Sequence, residues 1–145
     1  MAASADDPLR LLAQDAEDLA VIAAALQDAV ATIGDIQFEA AARRLTLGLN
    51  RYRWEAGVKG AGERIRCGVQ FGGVLSVKAR RLRRDAPTAV IELLTLAFEP
   101  GEAPGGAVVL TFAGGGDLRL EVECLDAVLS DVSPPWPARS APRHG

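Results

Sequence analysis

The chain has 145 residues, 49% of them hydrophobic, and a formal net charge of -3. A chain of this length is expected to form one domain that buries about two-thirds of the surface its unfolded form exposes. The slight acidic excess argues against a dedicated nucleic-acid-binding domain, and two cysteines with one histidine do not supply the ligand cluster of a structural zinc site.

The first predicted elements are a short strand and a helix. Residues Leu9 to Ala13 follow Pro8 and predict a strand, and Asp15 then provides a helix N-cap. Apolar residues recur at helical spacing after it, at Leu19, Ile22, Ala23, Leu26 and Val30. We therefore expect an amphipathic helix from about Ala16 to Ala29.

Two strands and a turn are predicted directly after the helix. Ile36 and Phe38 alternate with polar neighbours on the first strand, and a turn follows at residues 40–43. The second strand carries alternating leucines, at Leu45, Leu47 and Leu49. This period-two pattern is typical of a hairpin with one buried face.

The alternation is disturbed where the second strand ends. Arg51 and Arg53 occupy the parity of the leucines, whereas Tyr52 and Trp54 take the opposite one. Either a β-bulge near Asn50 reverses the pattern, or the strand passes from buried to exposed surroundings. We favour the bulge, because aromatic side chains are buried more readily than arginines.

Further strands are predicted in the second half of the chain. Gly57 to Gly62 reads as a flexible connection, and two strands with inward apolar residues follow it, at Ile65, Cys67, Val69, Phe71 and at Leu75, Val77, Ala79. Residues Thr88 to Phe98 are apolar on both parities, which predicts a central strand buried on both faces.

The last third of the chain gives the clearest pattern. Apolar residues alternate on both sides of the glycine-rich turn Ala113–Asp117, which predicts a hairpin with one buried face. Residues near Val128 extend the last strand or form a short helical turn. We expect one domain over residues 1–132 and an irregular tail over residues 133–145, where prolines accumulate.

Cysteine and hydropathy patterns bear on the compartment. Cys67 and Cys124 both fall at predicted inward positions, where they are either reduced core thiols or the two halves of a disulfide between strands. Residues 1–7 lack a basic region followed by a long apolar run, and no apolar run is long enough to cross a bilayer. We therefore expect a cytoplasmic protein that does not contact a membrane.

The fold class expected from these elements is α+β. We predict a strongly curled antiparallel sheet of about six to eight strands, with one N-terminal amphipathic helix. The alternative architecture is a pleckstrin-homology-like barrel, although such domains normally end in a helix.

Seven segments resemble a family of bacterial proteins, the domain of unknown function 2948. The segments are Asp15–Leu19, Leu26–Val30, Leu49–Glu55, Val74–Lys78, Thr111–Gly116, Leu120–Cys124 and Pro135–Trp136. Together they span most of the chain. The resemblance implies one full-length domain and no particular activity.

No constellation of catalytic residues stands out. The single histidine, His144, is next to the C-terminus, so a Ser-His-Asp or Cys-His arrangement would require the tail to fold back over the body. We assign no catalytic, cofactor-binding or metal-binding residues and expect no cofactor.

Basic residues form the one candidate surface. A first group lies at a strand end and its loop, at Lys78, Arg80, Arg81, Arg83 and Arg84. A second group, Arg51 and Arg53, alternates with Tyr52 and Trp54. Arginines beside aromatics can hold phosphates while bases stack, whereas a charged strand edge can simply prevent association between sheets.

Three functional hypotheses follow. The first is a small non-enzymatic module that binds an unidentified protein partner or a second copy of itself. The second is an anion or nucleic-acid binder that uses the two basic groups. The third is an enzyme whose site lies inside the curled sheet.

Overall fold

The structure, a computed structural model, describes residues 8–54 and 62–138. Within these ranges the chain forms eleven β-strands and one α-helix. The helix is α1 (Ala16–Ala25), and a 3-10 turn covers Ile33–Asp35. The strands are β1 (Arg10–Ala13), β2 (Val30–Thr32), β3 (Ile36–Glu39), β4 (Arg44–Tyr52), β5 (Glu63–Phe71), β6 (Val74–Arg80), β7 (Val90–Pro100), β8 (Gly106–Phe112), β9 (Asp117–Val122), β10 (Ala127–Asp131) and β11 (Trp136–Pro137).

The strands in the described ranges pair antiparallel along one path, β1-β10-β5-β4-β2-β7-β8-β9-β6. Two strands lie beside this path, since β3 pairs with β4 and β11 pairs with β5. β7 changes neighbour along its length: residues 90–92 pair with β2, and residues from Leu93 onward pair with β8. β7 therefore joins the two halves of the sheet.

One hydrophobic core serves both halves. Leu45 and Phe71 from the first half lie in the same buried cluster as Leu110 and Leu118 from the second. The helix adds its buried residues, Leu19 and Ile22, to this cluster. Burial of apolar side chains from both halves against each other supplies the main stabilisation of the fold.

The predicted α+β class is wrong, because the fold is mainly β. The sheet is neither strongly curled nor closed, which also removes the alternative of a barrel. The predicted amphipathic helix to Ala29 is replaced by a helix of ten residues that ends at Ala25. Its apolar residues lie on all sides, and Val21 is 56% exposed. The core is therefore built largely by strands, and the helix is a minor element.

Several local predictions are confirmed. The side chain of Asp15 accepts a hydrogen bond from the amide of Asp18 at 2.8 Å, as expected of an N-cap. β8 and β9 form the predicted hairpin, with positive φ angles at Gly114 and Gly115 in its turn. The segment near Val128 is a strand, β10, and not a helical turn.

Two strands differ from prediction because bulges change the parity of their side chains. In β6 a register shift follows Val74, so that Val74 is buried and Leu75, predicted inward, is exposed. In β7 a register shift lies between Leu93 and Thr95, and Val90 is 72% exposed. β7 is therefore not buried on both faces as predicted.

The C-terminal segment of the described residues contains a further strand. Trp136 and Pro137, predicted to belong to an irregular tail, form β11 and pair with Arg64 and Glu63 of β5. The predicted flexible connection Gly57–Gly62 lies outside the described residues, apart from Gly62.

Candidate functional site

The second basic group is part of the interior. The register of β4 against β5 continues without a shift through Asn50, Arg51 and Tyr52, so the predicted bulge near Asn50 is absent. Arg51 consequently stays on the face of the leucines and is 0% exposed. The prediction that both arginines point outward is wrong, since Arg53 is buried as well.

Arg51 forms a buried, two-point ion pair with Asp131 of β10. Its Nε donates to Asp131 Oδ1 at 2.9 Å and its Nη2 donates to Asp131 Oδ2 at 2.8 Å. The Asp131 side chain is only 1% exposed, and its Oδ2 also accepts from the amide of Leu9 at 2.8 Å. This geometry satisfies both charges within the protein.

Arg53 and Trp54 also have partners within the fold. Arg53 Nη1 donates to Glu63 Oε1 at 2.6 Å, and the ring of Trp54 lies edge-on to Tyr52 with centroids 4.6 Å apart. The predicted surface that combines Arg51, Arg53 and Trp54 for phosphate binding is therefore not formed. The two arginines are structural residues that bind carboxylates of the same chain.

One residue of the first basic group, Arg84, lines a cleft between two strands. A cavity of about 400 Å³ separates β3 from β6, and its walls are mainly apolar. The lining residues include Ile36 and Phe38 of β3, Val77 and Ala79 of β6, and Leu82 and Arg84 of the following loop. We call this cavity the β3–β6 cleft.

Backbone hydrogen bonds link the two sides of the cleft before and after β3. The amide of Val74 donates to the carbonyl of Arg43 at 2.8 Å, where β6 begins beside the turn after β3. Before β3, the amide of Gly34 donates to the carbonyl of Pro87 at 2.8 Å. The segments that carry the two walls are thus joined at two points, and between them Phe38 remains 39% exposed.

The cations near the cleft differ in their partners. Arg80 pairs with Asp117 at 2.6 Å, and Arg83 lies 3.9 Å from Asp85 with both side chains exposed. Among residues 8–54 and 62–138 we find no carboxylate within ion-pair distance of Lys78, Arg81 or Arg84, and all three are exposed. The structure thus brings Arg84, one residue of the first predicted basic group, to an apolar cavity.

Sequence reasoning missed the apolar walls of this cleft as functional residues. Ile36, Phe38, Val77 and Ala79 carry the inward alternation of ordinary core residues. The signal that distinguishes them is the absence of pairing between β3 and β6, and that absence is a property of topology.

A comparison with family models shows to which protein family the chain belongs. A family model described as Protein of unknown function (DUF2948) matches residues 9–144. The chain belongs to the DUF2948 family. This confirms the resemblance noted from the sequence. The matched range contains both the β3–β6 cleft and the Arg51–Asp131 pair. No curated protein and no solved structure matches the chain significantly.

A carboxyl pair lies elsewhere in this DUF2948 chain. Burial raises the pKa of the Glu92 carboxyl; its hydrogen bond to Asp28 and the charge of that group raise it further, and nearby Arg64 lowers it.

In the part of the chain that the structure describes, no three histidine, cysteine or acidic side chains are arranged to hold a metal ion. His144 lies outside the described residues, as do residues 1–7. Of the described helices, none has the length and apolarity needed to cross a bilayer.

The two cysteines occupy different environments. Both are free, Cys67 is buried and Cys124 is exposed, so the predicted inward position of Cys124 and the alternative of a disulfide are wrong. Burial raises the pKa of the Cys67 thiol to about 12, with Arg51 opposing the rise and Asp131 adding to it. A thiol must ionise and be reached by the reagent before it reacts.

Iodoacetamide at pH 8 is therefore expected to label Cys124 in the folded protein and to leave Cys67 unmodified. Labelling of both thiols is expected only after unfolding in urea. Mass spectrometry of tryptic peptides identifies the labelled residue, and the variant Cys124→Ser serves as control. Rapid labelling of Cys67 in the folded state would contradict this prediction.

Proposed function

We propose that the protein is a small, non-enzymatic cytoplasmic binding module whose β3–β6 cleft holds an apolar group attached to an anionic one. The observation that carries this proposal is an apolar cavity bordered by Arg84, a cation without a carboxylate partner among the described residues. Two free cysteines agree with a reducing compartment.

The apolar walls would supply most of the affinity. A volume of about 400 Å³ is within the range of pockets that bind small molecules or single large side chains. Phe38 loses its remaining exposure to water when such a group enters. Burial of apolar surface contributes about 25 cal/mol per Å², which favours a ligand with a branched or linear hydrocarbon part.

The charges around the cleft would select the sign of the ligand. Arg84 lines the cavity, and Arg81 and Lys78 are exposed on the neighbouring loop and strand. A single exposed ion pair contributes at most about 1 kcal/mol, so the cations discriminate between ligands more than they hold them. An anionic head group next to the hydrocarbon part therefore fits this border better than a cationic one.

The same geometry weakens the hypothesis of a nucleic-acid binder. Arg51 and Arg53 bind Asp131 and Glu63 inside the protein, and Trp54 packs on Tyr52 at the end of β4. The stacking surface that this hypothesis requires would have to form without them. Of the remaining basic residues, Arg84 lines the apolar cleft, which is the reason to prefer an amphipathic anion.

Binding can be tested with two probes of equal length, octanoate and octylamine. We expect octanoate to shift the amide resonances of β3 and β6 in two-dimensional NMR spectra, and octylamine to bind more weakly. Arg84→Glu should weaken octanoate binding about 3- to 10-fold, whereas Arg10→Glu, a charge reversal on the distant strand β1, should leave it unchanged. Shifts scattered over the whole surface, or equal binding of both probes, would contradict the proposed function.

A further inference from the structure

We infer that the partner of the β3–β6 cleft is a short extended polypeptide segment in which apolar residues alternate with acidic ones, and that it pairs with the free edge of β6. This inference rests on the proposed function of the cleft and names the class of its ligand. It follows from the strand edges, the alternation of side chains and the distribution of charge around the cavity.

The walls of the cleft are strand edges. β6 is the last strand of the path and pairs only with β9, and β3 pairs only with β4, among the described strands. In an antiparallel strand, alternate residues direct their N–H and C=O groups to opposite neighbours, so a strand with one neighbour leaves half of these groups unpaired. β6 therefore presents a row of backbone donors and acceptors along the cleft. An added strand would satisfy them.

The length of the cleft suits a short segment. β3, which forms the opposite wall, has four residues, and the Gly34–Pro87 and Val74–Arg43 hydrogen bonds flank it in the chain. A paired strand that lies between these two points is about as long as β3. The flanking parts of the partner would leave the cleft toward solvent.

The side chains of β6 indicate the sequence of the partner. Val77 and Ala79 face the cleft, whereas Lys78 and Arg80 are exposed on the opposite face. Directly opposite residues on neighbouring strands share a face, so the inward residues of an added strand meet Val77, Ala79 and the β3 wall. Its outward residues meet Lys78 and Arg80. Arg80 already pairs with Asp117, whereas Lys78 has no carboxylate within ion-pair distance among the described residues, which favours an acidic side chain beside Lys78.

A second copy of the same edge fits this surface poorly. Two β6 edges would bring Lys78 of one chain close to the same residue of the other, and like charges on neighbouring strands are unfavourable. The charges that discourage pairing between copies thus favour an acidic segment from a different protein.

The probe is a fluorescent peptide of about six residues in which valine alternates with glutamate, compared with a valine–lysine peptide of the same length. Two further peptides carry N-methyl groups on one or the other alternate set of backbone amides, which removes hydrogen-bond donors and keeps the side chains. Fluorescence anisotropy gives the dissociation constants. Hydrogen exchange followed by NMR reports protection of the β6 amides.

We expect the valine–glutamate peptide to bind and the valine–lysine peptide to bind at least about 10-fold more weakly. At least one N-methylated peptide should lose about 10-fold or more in affinity, and β6 amides should gain protection. Lys78→Glu should weaken binding about 3- to 10-fold, and Arg10→Glu should have no effect.

The outcomes separate this inference from the proposed function. If octanoate binds at the cleft but both N-methylated peptides bind as well as the parent, strand pairing is overturned and the proposed function stands. If neither octanoate nor any peptide binds, both are overturned. Sedimentation that shows a dimer from which the peptide cannot displace a copy would identify self-association and would also overturn the inference.

Discussion

Asp131→Ala is expected to lower the free energy of unfolding by about 3–5 kcal/mol, because it removes a buried carboxylate that accepts two hydrogen bonds from the guanidinium of Arg51. The substitution also removes the acceptor of the Leu9 amide, which helps to hold β1 beside β10. Urea denaturation followed by circular dichroism measures the change in unfolding free energy together with its dependence on urea concentration.

Two control variants make this expectation specific. Asp85→Ala removes one partner of the exposed Arg83–Asp85 pair and should change stability by less than about 0.5 kcal/mol. The double variant Arg51→Met with Asp131→Leu replaces both charges by apolar side chains and should recover most of the lost stability. A loss below about 1 kcal/mol for Asp131→Ala would show that water or the other partners of Arg51 compensate for the missing carboxylate.

Phe71→Ala should have an effect of similar size, about 3–5 kcal/mol, because it leaves a cavity in the shared core. Phe71 is fully buried on β5, and its neighbours in register are Leu45 of β4 and Ala127 of β10. Since both halves of the sheet contribute to one cluster, we expect the whole domain to unfold in a single transition at lower temperature.

The matched control for this substitution is Phe38→Ala. Phe38 is 39% exposed on the wall of the cleft, so its removal should cost less than about half as much as that of Phe71. Differential scanning calorimetry and tryptophan fluorescence should give coincident transitions for both variants. Equal losses for the two phenylalanines would contradict the assignment of the core, and separate transitions would contradict the single cooperative domain.

Much of the strand content could be predicted from period-two alternation, because a strand with one buried face records that face at every second residue. β5 and the β8–β9 hairpin illustrate this, with the inward residues Cys67, Val69 and Phe71 on the parity that the sequence predicts. The class of the fold does not follow from the helical stripe after Asp15, because that stripe predicts a helix but not its share of the core. A helix of ten residues adds little to a sheet of eleven strands.

Arg51 shows where alternation and hydropathy disagree. The alternation along β4 places Arg51 on the face of the buried leucines, and the structure has it there. Hydropathy, in contrast, predicts that an arginine is exposed. Burial is possible because Asp131 supplies a counter-charge from a strand that lies 80 residues later in the chain. Such a pairing depends on the neighbourhood of β4, β5 and β10, which local patterns do not contain.

The cleft has the same origin in topology. Each of its walls reads as an ordinary buried strand face, and only the missing pairing between β3 and β6 turns the two faces into a cavity. The basic group on the following loop could be found from the sequence, since Arg80, Arg81, Arg83 and Arg84 are close together there. The position of Arg84 beside apolar walls could not be found from the sequence.

The change of neighbours along β7 restricts how the length of this chain can vary in evolution. β7 keeps one register with β2 through residues 90–92 and another with β8 from Leu93 onward. An inserted or deleted residue inside this strand would leave one register intact and turn the side chains of the other half to the opposite face. Length differences among homologous chains are therefore expected in the connections, such as residues 40–43 and 101–105, and not within β7.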